Sequence, residues 1–136
     1  MNEEPRATII SREERASPPV PRTRGARMAV LLGPGVGRTT FITRRFVLEP
    51  GAYIPAHTHP AIEHQQVMVR GEMVLGLPQG ERVVRAGEAI FLPAGCAHSY
   101  ANRADEPVEF LCVIPVTDGY ETEWLEDPPA GAFMPS

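Results

Sequence analysis

The chain has 136 residues, a net charge of −4, 43% hydrophobic residues, 15 prolines and 12 glycines. This length suffices for one domain with a buried core, and the proline and glycine content favours short strands and tight turns over long helices. All 13 basic residues are arginines, which excludes lysine-dependent chemistry such as Schiff-base formation. The arginines form no basic stripe interleaved with aromatic residues, so we expect no nucleic-acid partner.

The compartment is inferred from cysteine usage and from the absence of apolar segments. The two cysteines, Cys96 and Cys112, are too few for a disulfide framework, which fits a reducing environment. No run of about twenty apolar residues occurs, and the charged N-terminus lacks the apolar stretch of a signal peptide. We therefore expect a soluble, cytoplasmic protein with no membrane partner.

Residues 1–26 are interpreted as an N-terminal arm. A short strand is predicted at residues 8–10. The proline-rich segment 17–21 that follows must be extended, and its prolines cannot donate hydrogen bonds to a sheet. The arm and the exposed sheet edges together predict strand exchange in a two-fold homodimer.

From residue 27 onward, short apolar runs alternate with turns that contain glycine or proline. This spacing, without a helical period, predicts an all-β sandwich or barrel over residues 27–116. Residues 117–136 form an acidic, proline-rich C-terminal tail that either wraps around the barrel or frays. The strands are predicted at residues 28–32, 39–48, 52–57, 65–70, 72–77, 82–85, 89–92, 97–101 and 108–114.

All four histidines fall in two short blocks of the sequence. His57 and His59 are two residues apart, and because side chains alternate along a strand, both face the same side and can chelate one ion. The turn at residues 60–62 brings His64 back beside them, and His98 follows a Pro-x-Gly turn on another strand. A single histidine is more often structural, but these four spacings together predict one site for a divalent metal.

The two blocks resemble the paired motifs of the cupin family. The first family motif reads Gly-x5-His-x-His-x3or4-Glu-x6-Gly, and it is matched at Gly51, His57, His59 and Gly71. The second reads Gly-x5-Pro-x-Gly-x2-His-x3-Asn, and it is matched at Gly87, Pro93, Gly95, His98 and Asn102. His64 occupies the position where the family usually has glutamate. Glu63 lies one residue earlier, so alternation turns it away from the metal.

The resemblance covers roughly residues 27–116 and implies a single-domain double-stranded β-helix, or jelly-roll barrel, with little helix. Two kinds of small bacterial cupins with four-histidine sites are similar to this chain. One kind binds manganese and has dioxygenase-like activity; the other comprises zinc-binding cyclases of aromatic polyketide biosynthesis, which residues 30–40 resemble. The implied cofactor is one divalent metal ion, zinc or manganese first, with iron, nickel or copper as alternatives.

Four neutral imidazoles would leave a divalent ion less neutralised, and therefore a stronger Lewis acid, than a site that includes glutamate. We therefore predict an enzyme that polarises a β-dicarbonyl or poly-β-ketone small molecule for enolate formation and aldol-type ring closure. No other side chain is evident as a general base, so the four histidines are expected to act in catalysis through metal-bound water. A dioxygenase that uses manganese or iron at the same site, and a non-catalytic metabolite-binding protein, are the alternatives.

Strand alternation also predicts which side chains form the substrate pocket. Cys112 is expected to be buried and inert, because no histidine is left to activate it. Six residues on inward-facing strand positions are assigned to the pocket: Arg44, Phe46, Gln66, Tyr100, Phe110 and Cys112.

Overall fold

The computed structural model describes residues 4–11 and 15–135. In this part of the chain the only helical segment is a 3₁₀ turn at Pro34–Val36, and no helix has the length and hydropathy needed to cross a membrane. The strands are β1 (Arg24–Leu32), β2 (Phe41–Thr58), β3 (His64–Arg70), β4 (Glu72–Leu77), β5 (Gly80–Arg85), β6 (Ala89–Leu92), β7 (His98–Ala101), β8 (Val108–Pro115) and β9 (Glu123–Trp124).

The long strand β2 belongs to both halves of one antiparallel sheet. Its first half, up to Leu48, pairs with β1 and β8, and its second half, from Tyr53, pairs mainly with β7 and β9. The first half is extended by β3 and β6 beyond β8, and the second by β4 and β5 beyond β7. The sheet therefore folds over itself and encloses its buried side chains, which confirms the all-β jelly-roll prediction.

The corner in β2 differs from the sequence prediction, which placed a turn at residues 49–51 between two separate strands. The chain instead continues as one bent strand, with Gly51 at a φ of +83° that favours glycine. The N–H of Gly51 donates to the Asn102 carbonyl at 2.9 Å, and the buried Asn102 side chain donates to the carbonyls of Leu48 and Glu106. These bonds carry the strand through the corner, so predicting two strands was wrong.

Both segments outside the predicted barrel make contacts that the sequence did not specify. The predicted strand at residues 8–10 is wrong for the single chain, because no sheet pairing forms there and Ile9 is 88% exposed. Pro19 instead forms an isolated bridge with Arg27. The tail wraps around the barrel, since β9 pairs with the end of β2. The homodimer formed by arm exchange remains a prediction.

The core lies between the two halves of the folded sheet. Leu48, Met68 and Phe110 are among its fully buried side chains. The Phe110 ring stacks on Phe46, with centroids 4.9 Å apart, and on Tyr100, with centroids 5.3 Å apart. Since Phe46 and Tyr100 also line the cavity at the histidines, the core supports the wall of that cavity.

Candidate metal centre

Three histidines, at the end of β2 and the start of β7, converge on one point. His57, His59 and His98 are all buried, and each offers a ring nitrogen within 4.8 Å of the others. His57 is the next-to-last residue of β2 and His59 directly follows the strand, while β7 places His98 directly opposite His57 in the strand register. The strand period predicted for residues 57 and 59 therefore produces a compact set of nitrogen donors.

His64, the first residue of β3, lies at the edge of this three-histidine set. Its ring centroid is 4.6 Å from that of His59 and 5.9 Å from that of His98, and it lines the same cavity. The Glu63 side chain is exposed, as alternation along the chain predicts. The structure thus brings all four histidine rings to one cavity and leaves Glu63 outside it.

Backbone carbonyl groups orient three of the four rings. A carbonyl oxygen only accepts, so each Nδ1 must carry the proton and each Nε2 keeps its lone pair for a metal. Hydrogen bonds of this kind fix the tautomer and direction of metal-binding histidines in general. The bonds run from the Nδ1 atoms of His57, His59 and His98 to the carbonyl oxygens of Pro55 (2.7 Å), Glu121 (3.0 Å) and Cys96 (2.9 Å) respectively.

Burial keeps the four imidazoles in the neutral form that binds metal. Loss of hydration lowers the pKa of His57 and of His64 to about 3 and that of His98 to about 4, and it also lowers the pKa of His59. Metal binding near neutral pH therefore displaces no proton from these rings. A set of neutral imidazoles with oriented lone pairs fits zinc and the other divalent first-row ions.

A cavity of about 270 Å³ opens at the histidines. Of the predicted pocket residues, Arg44, Phe46, Gln66 and Tyr100 line it. Phe110 and Cys112 are fully buried behind the residues that line the cavity, so the prediction that they form its surface was wrong. Alternation placed both correctly on the interior face, but neighbouring side chains cover them.

Tyr100 and Gln66 form a hydrogen-bonded pair in the cavity wall. Gln66 Nε2 donates to the Tyr100 hydroxyl oxygen at 2.7 Å. Burial raises the pKa of Tyr100, so its hydroxyl stays protonated. Gln66 Oε1 is buried without a donor. The pair therefore has a phenol proton and an amide oxygen available for polar groups of a ligand.

The sequence of residues 44–114, just over half of the chain, matches the family model of the cupin domain. The chain belongs to the cupin family. Its two sequence motifs contain the end of β2, the whole of β3 and the whole of β7, and the four histidines lie on these strands or, for His59, directly after β2.

Among curated proteins, this cupin is similar to the tetracenomycin polyketide synthase protein TcmJ of Streptomyces glaucescens. The two are 27% identical over 93 residues, which cover 68% of this chain and 62% of TcmJ. It is also similar to the auxin-binding protein ABP19b of Prunus persica, at 29% identity over 54% of this chain and 38% of that protein. The cupin therefore spans between about a third and two thirds of the length of these relatives.

Among solved structures, the cupin is similar to the polyketide cyclase RemF from Streptomyces resistomycificus. The TM-score is 0.81, with 26% sequence identity and 90% of each chain covered. The similarity therefore extends past the matched cupin domain and includes much of the arm and tail.

Sequence reasoning missed the rim of the pocket in this cupin, which comes from the arm and the tail. The signal in the sequence was the placement of Tyr120 and Trp124, two of the few aromatic residues beyond the barrel. The Arg22 guanidinium lies 5.1 Å from the Trp124 ring centroid, so the arm and the tail touch at the rim. The missed rim residues are Val20, Pro21, Arg22, Tyr120, Thr122 and Trp124.

The metal-free cupin is expected to lose stability as the pH falls. The pKa of histidine is about 6.5 in the unfolded chain. Burial lowers it to about 3 for His57 and His64 and to about 4 for His98 in the folded protein. The unfolded state therefore binds more protons in this window, and stability that is complete above about pH 6.5 is lost as the pH falls toward 4. Thermal unfolding of chelator-treated protein should show a Tm at least about 5 °C lower at pH 5 than at pH 7.5.

The control for this expectation is a variant with His57 and His98 replaced by glutamine. Glutamine does not titrate, so the Tm difference between the two pH values should shrink. An unchanged Tm of the unsubstituted metal-free protein between pH 7.5 and pH 5 would contradict the neutral, buried state of the four rings.

Proposed function

We propose that this cupin is a metal-dependent cyclase that acts on a β-dicarbonyl or poly-β-ketone small molecule. The observation that carries the proposal is a set of neutral, oriented imidazoles at an aromatic cavity that contains no acidic residue among those described. A divalent metal held by these residues would supply Lewis acidity toward neighbouring carbonyl oxygens. The similarity to the polyketide cyclase RemF over 90% of both chains supports a cyclase over other reactions of the same fold, and the similarity to the polyketide synthase protein TcmJ supports a polyketide-type substrate.

Residues of the chain itself would orient the substrate and stabilise developing charge. The protonated Tyr100 hydroxyl can donate to a carbonyl oxygen that gains charge as an enolate forms. The rings of Phe46, Tyr120 and Trp124 line the cavity and offer apolar surface to a planar, partly cyclised substrate. Their apolar surface also excludes water, which strengthens the polar contacts of the reacting oxygens.

Metal analysis and a ring-closure assay test the proposal. The purified protein should contain about one divalent ion per chain. It should accelerate closure of an aryl triketone to a resorcinol, with loss of water, by at least about 100-fold over the background rate, within the range of enzymic acceleration. Chelation should abolish this activity, restoring the metal should recover it, and dissolved oxygen should not be consumed.

Two variants and two outcomes sharpen this test. His64→Ala should lower the activity, whereas Glu63→Ala, at the exposed neighbouring position, should retain it. Oxygen uptake in proportion to substrate, with iron or manganese bound, would contradict the cyclase and support the dioxygenase. Tight binding of the triketone without turnover, whichever divalent metal is supplied, would support a non-catalytic metabolite-binding protein.

A further inference from the structure

We propose that Arg44 makes the cavity selective for ligands that carry a carboxylate, which its guanidinium binds while other oxygens of the ligand face the histidines. This inference rests on the proposed function and names the substrate class of the same site. The ligand would be a keto or phenolic carboxylic acid rather than a neutral ketone.

Arg44 is a buried cation without an acidic partner in residues 4–11 and 15–135. It is 7% exposed, and the ion pairs of this part of the chain involve other arginines. Its donors reach a hydroxyl oxygen and a sulfur, Tyr120 Oη at 3.4 Å and Cys112 Sγ at 3.2 Å, and its Nε has no partner. A guanidinium buried without a counter-charge costs stability, so a ligand that supplies the charge is the natural complement.

The adjacent residue of the same strand shows the usual arrangement for an arginine. Arg45 alternates to the opposite face of β2 and pairs with Glu109 on β8, with Nε and Oε1 2.7 Å apart. Of these two consecutive arginines, Arg45 therefore has an acidic partner and Arg44 has none among the described residues. This contrast makes Arg45 the control for any substitution of Arg44.

Arg44 lies where a ligand at the histidines can reach it. It pairs with Cys112 on β8, which in turn pairs with Gln66 on β3, so the three residues form one row across the sheet. His64 lies two residues before Gln66 on the same face of β3. Arg44, Gln66 and His64 all line the one cavity, so one small molecule can contact all three.

The charged side chains that line the cavity are all positive. Its lining includes Arg22 and Arg44 but no aspartate or glutamate among the described residues, and any bound divalent ion adds to the positive charge. A positive, poorly hydrated cavity concentrates anions, and the planar guanidinium matches a carboxylate through two parallel hydrogen bonds. The unpartnered Gln66 Oε1 suits an enol or phenol hydroxyl carried next to the acid.

Arg44 also has a structural alternative. Its guanidinium carbon lies 5.2 Å from the Phe46 ring centroid and 5.8 Å from the Tyr120 ring centroid, so it could serve only to pack the wall. The two roles differ in their effect on stability. If the charge is kept for a ligand, Arg44→Met, which keeps most of the length without the charge, should have a Tm equal to or above that of the unsubstituted protein. A packing role requires a lower Tm.

Calorimetric titration with salicylate and its neutral analogue salicylamide tests the proposal. The full chain is titrated in its metal-loaded form and again after chelation. We expect salicylate to bind at least about tenfold more tightly than salicylamide in both forms, as a charge-assisted guanidinium pair implies. Arg44→Met should reduce this preference to within about twofold, Arg44→Lys should retain part of it, and the control Arg45→Met should retain it fully.

Equal affinities for the two probes in the unsubstituted protein would overturn the proposal, whatever the variants do. A preference that survives in Arg44→Met would overturn it as well, because the metal or Arg22 would then supply the selectivity. Metal-dependent closure of the neutral triketone without an acid preference would retain the cyclase and reject the role of Arg44. A preference for the acid without metal-dependent turnover would support the role of Arg44 and reject the cyclase.

Discussion

Replacing His98 with alanine is expected to abolish stable metal binding by this cupin and, with it, any metal-dependent turnover. His98 lies opposite His57 in the β2–β7 pair, and the Cys96 carbonyl holds its ring so that Nε2 is the free donor. Changes to groups that only orient a ligand already cost about 10- to 100-fold in metal affinity, so the loss of a ligand should cost at least about 100-fold. Competition with a chromophoric chelator measures this affinity.

The geometry also ranks the histidines against each other. His57, His59 and His98 form the compact group of ring nitrogens, whereas His64 lies at its edge. His64→Ala should therefore lower the affinity less than His98→Ala does, and the exposed Glu63→Ala should leave it unchanged. Metal affinity of His98→Ala equal to that of the unsubstituted protein would contradict the site described here.

Removing tail residues 118–136 is expected to damage the site although it removes no histidine. The Glu121 carbonyl accepts the Nδ1 proton of His59 at 3.0 Å, and Thr122 Oγ1 lies 3.3 Å from the same nitrogen. Tyr120 and Trp124 form part of the cavity wall. We expect metal affinity to fall about 10- to 100-fold, the cost of losing such an outer partner, and kcat/KM on the triketone to fall at least as far.

The matched control is a shorter truncation, after Asp127. It keeps the segment that reaches the site, and it keeps Glu126, whose carboxylate anchors this segment by accepting from the Ala56 N–H at 2.6 Å and the Tyr53 hydroxyl at 2.7 Å. Those two bonds lower the pKa of Glu126, so the anchor stays ionised at neutral pH. Equal metal affinity and turnover in the two truncations would show that the tail does not support the site.

Local stereochemistry explains what could be predicted from the sequence. The two-residue period of a strand puts His57 and His59 on one face, and it separates His64 from Glu63 without knowledge of any distant contact. Strand and turn spacing predicted an all-β sandwich or barrel, and the resemblance to the cupin motifs, which include Gly51 and Asn102, implied the jelly roll. These predictions depend on spacing within short segments, which the sequence displays directly.

The differences arise where distant segments meet. The bend in β2 depends on the Asn102 side chain, which reaches the strand from the end of β7. Alternation along a strand separates side chains that face the interior from those that face solvent, but it does not show how far an interior side chain lies from the cavity. Phe110 and Cys112 could therefore not be distinguished from residues on the cavity surface. The docking of the tail depends on Glu126 and on two residues of β9, a signal too short for a strand prediction.

The most direct measurement is a crystal structure of the metal-loaded cupin, with anomalous scattering recorded at the absorption edge of the bound metal. One peak is expected in the cavity, with the rings of His57, His59, His64 and His98 as its protein ligands. A peak bound by Glu63 or Cys96, or a cavity without a peak in protein that closes the triketone ring, would contradict the four-histidine metal site.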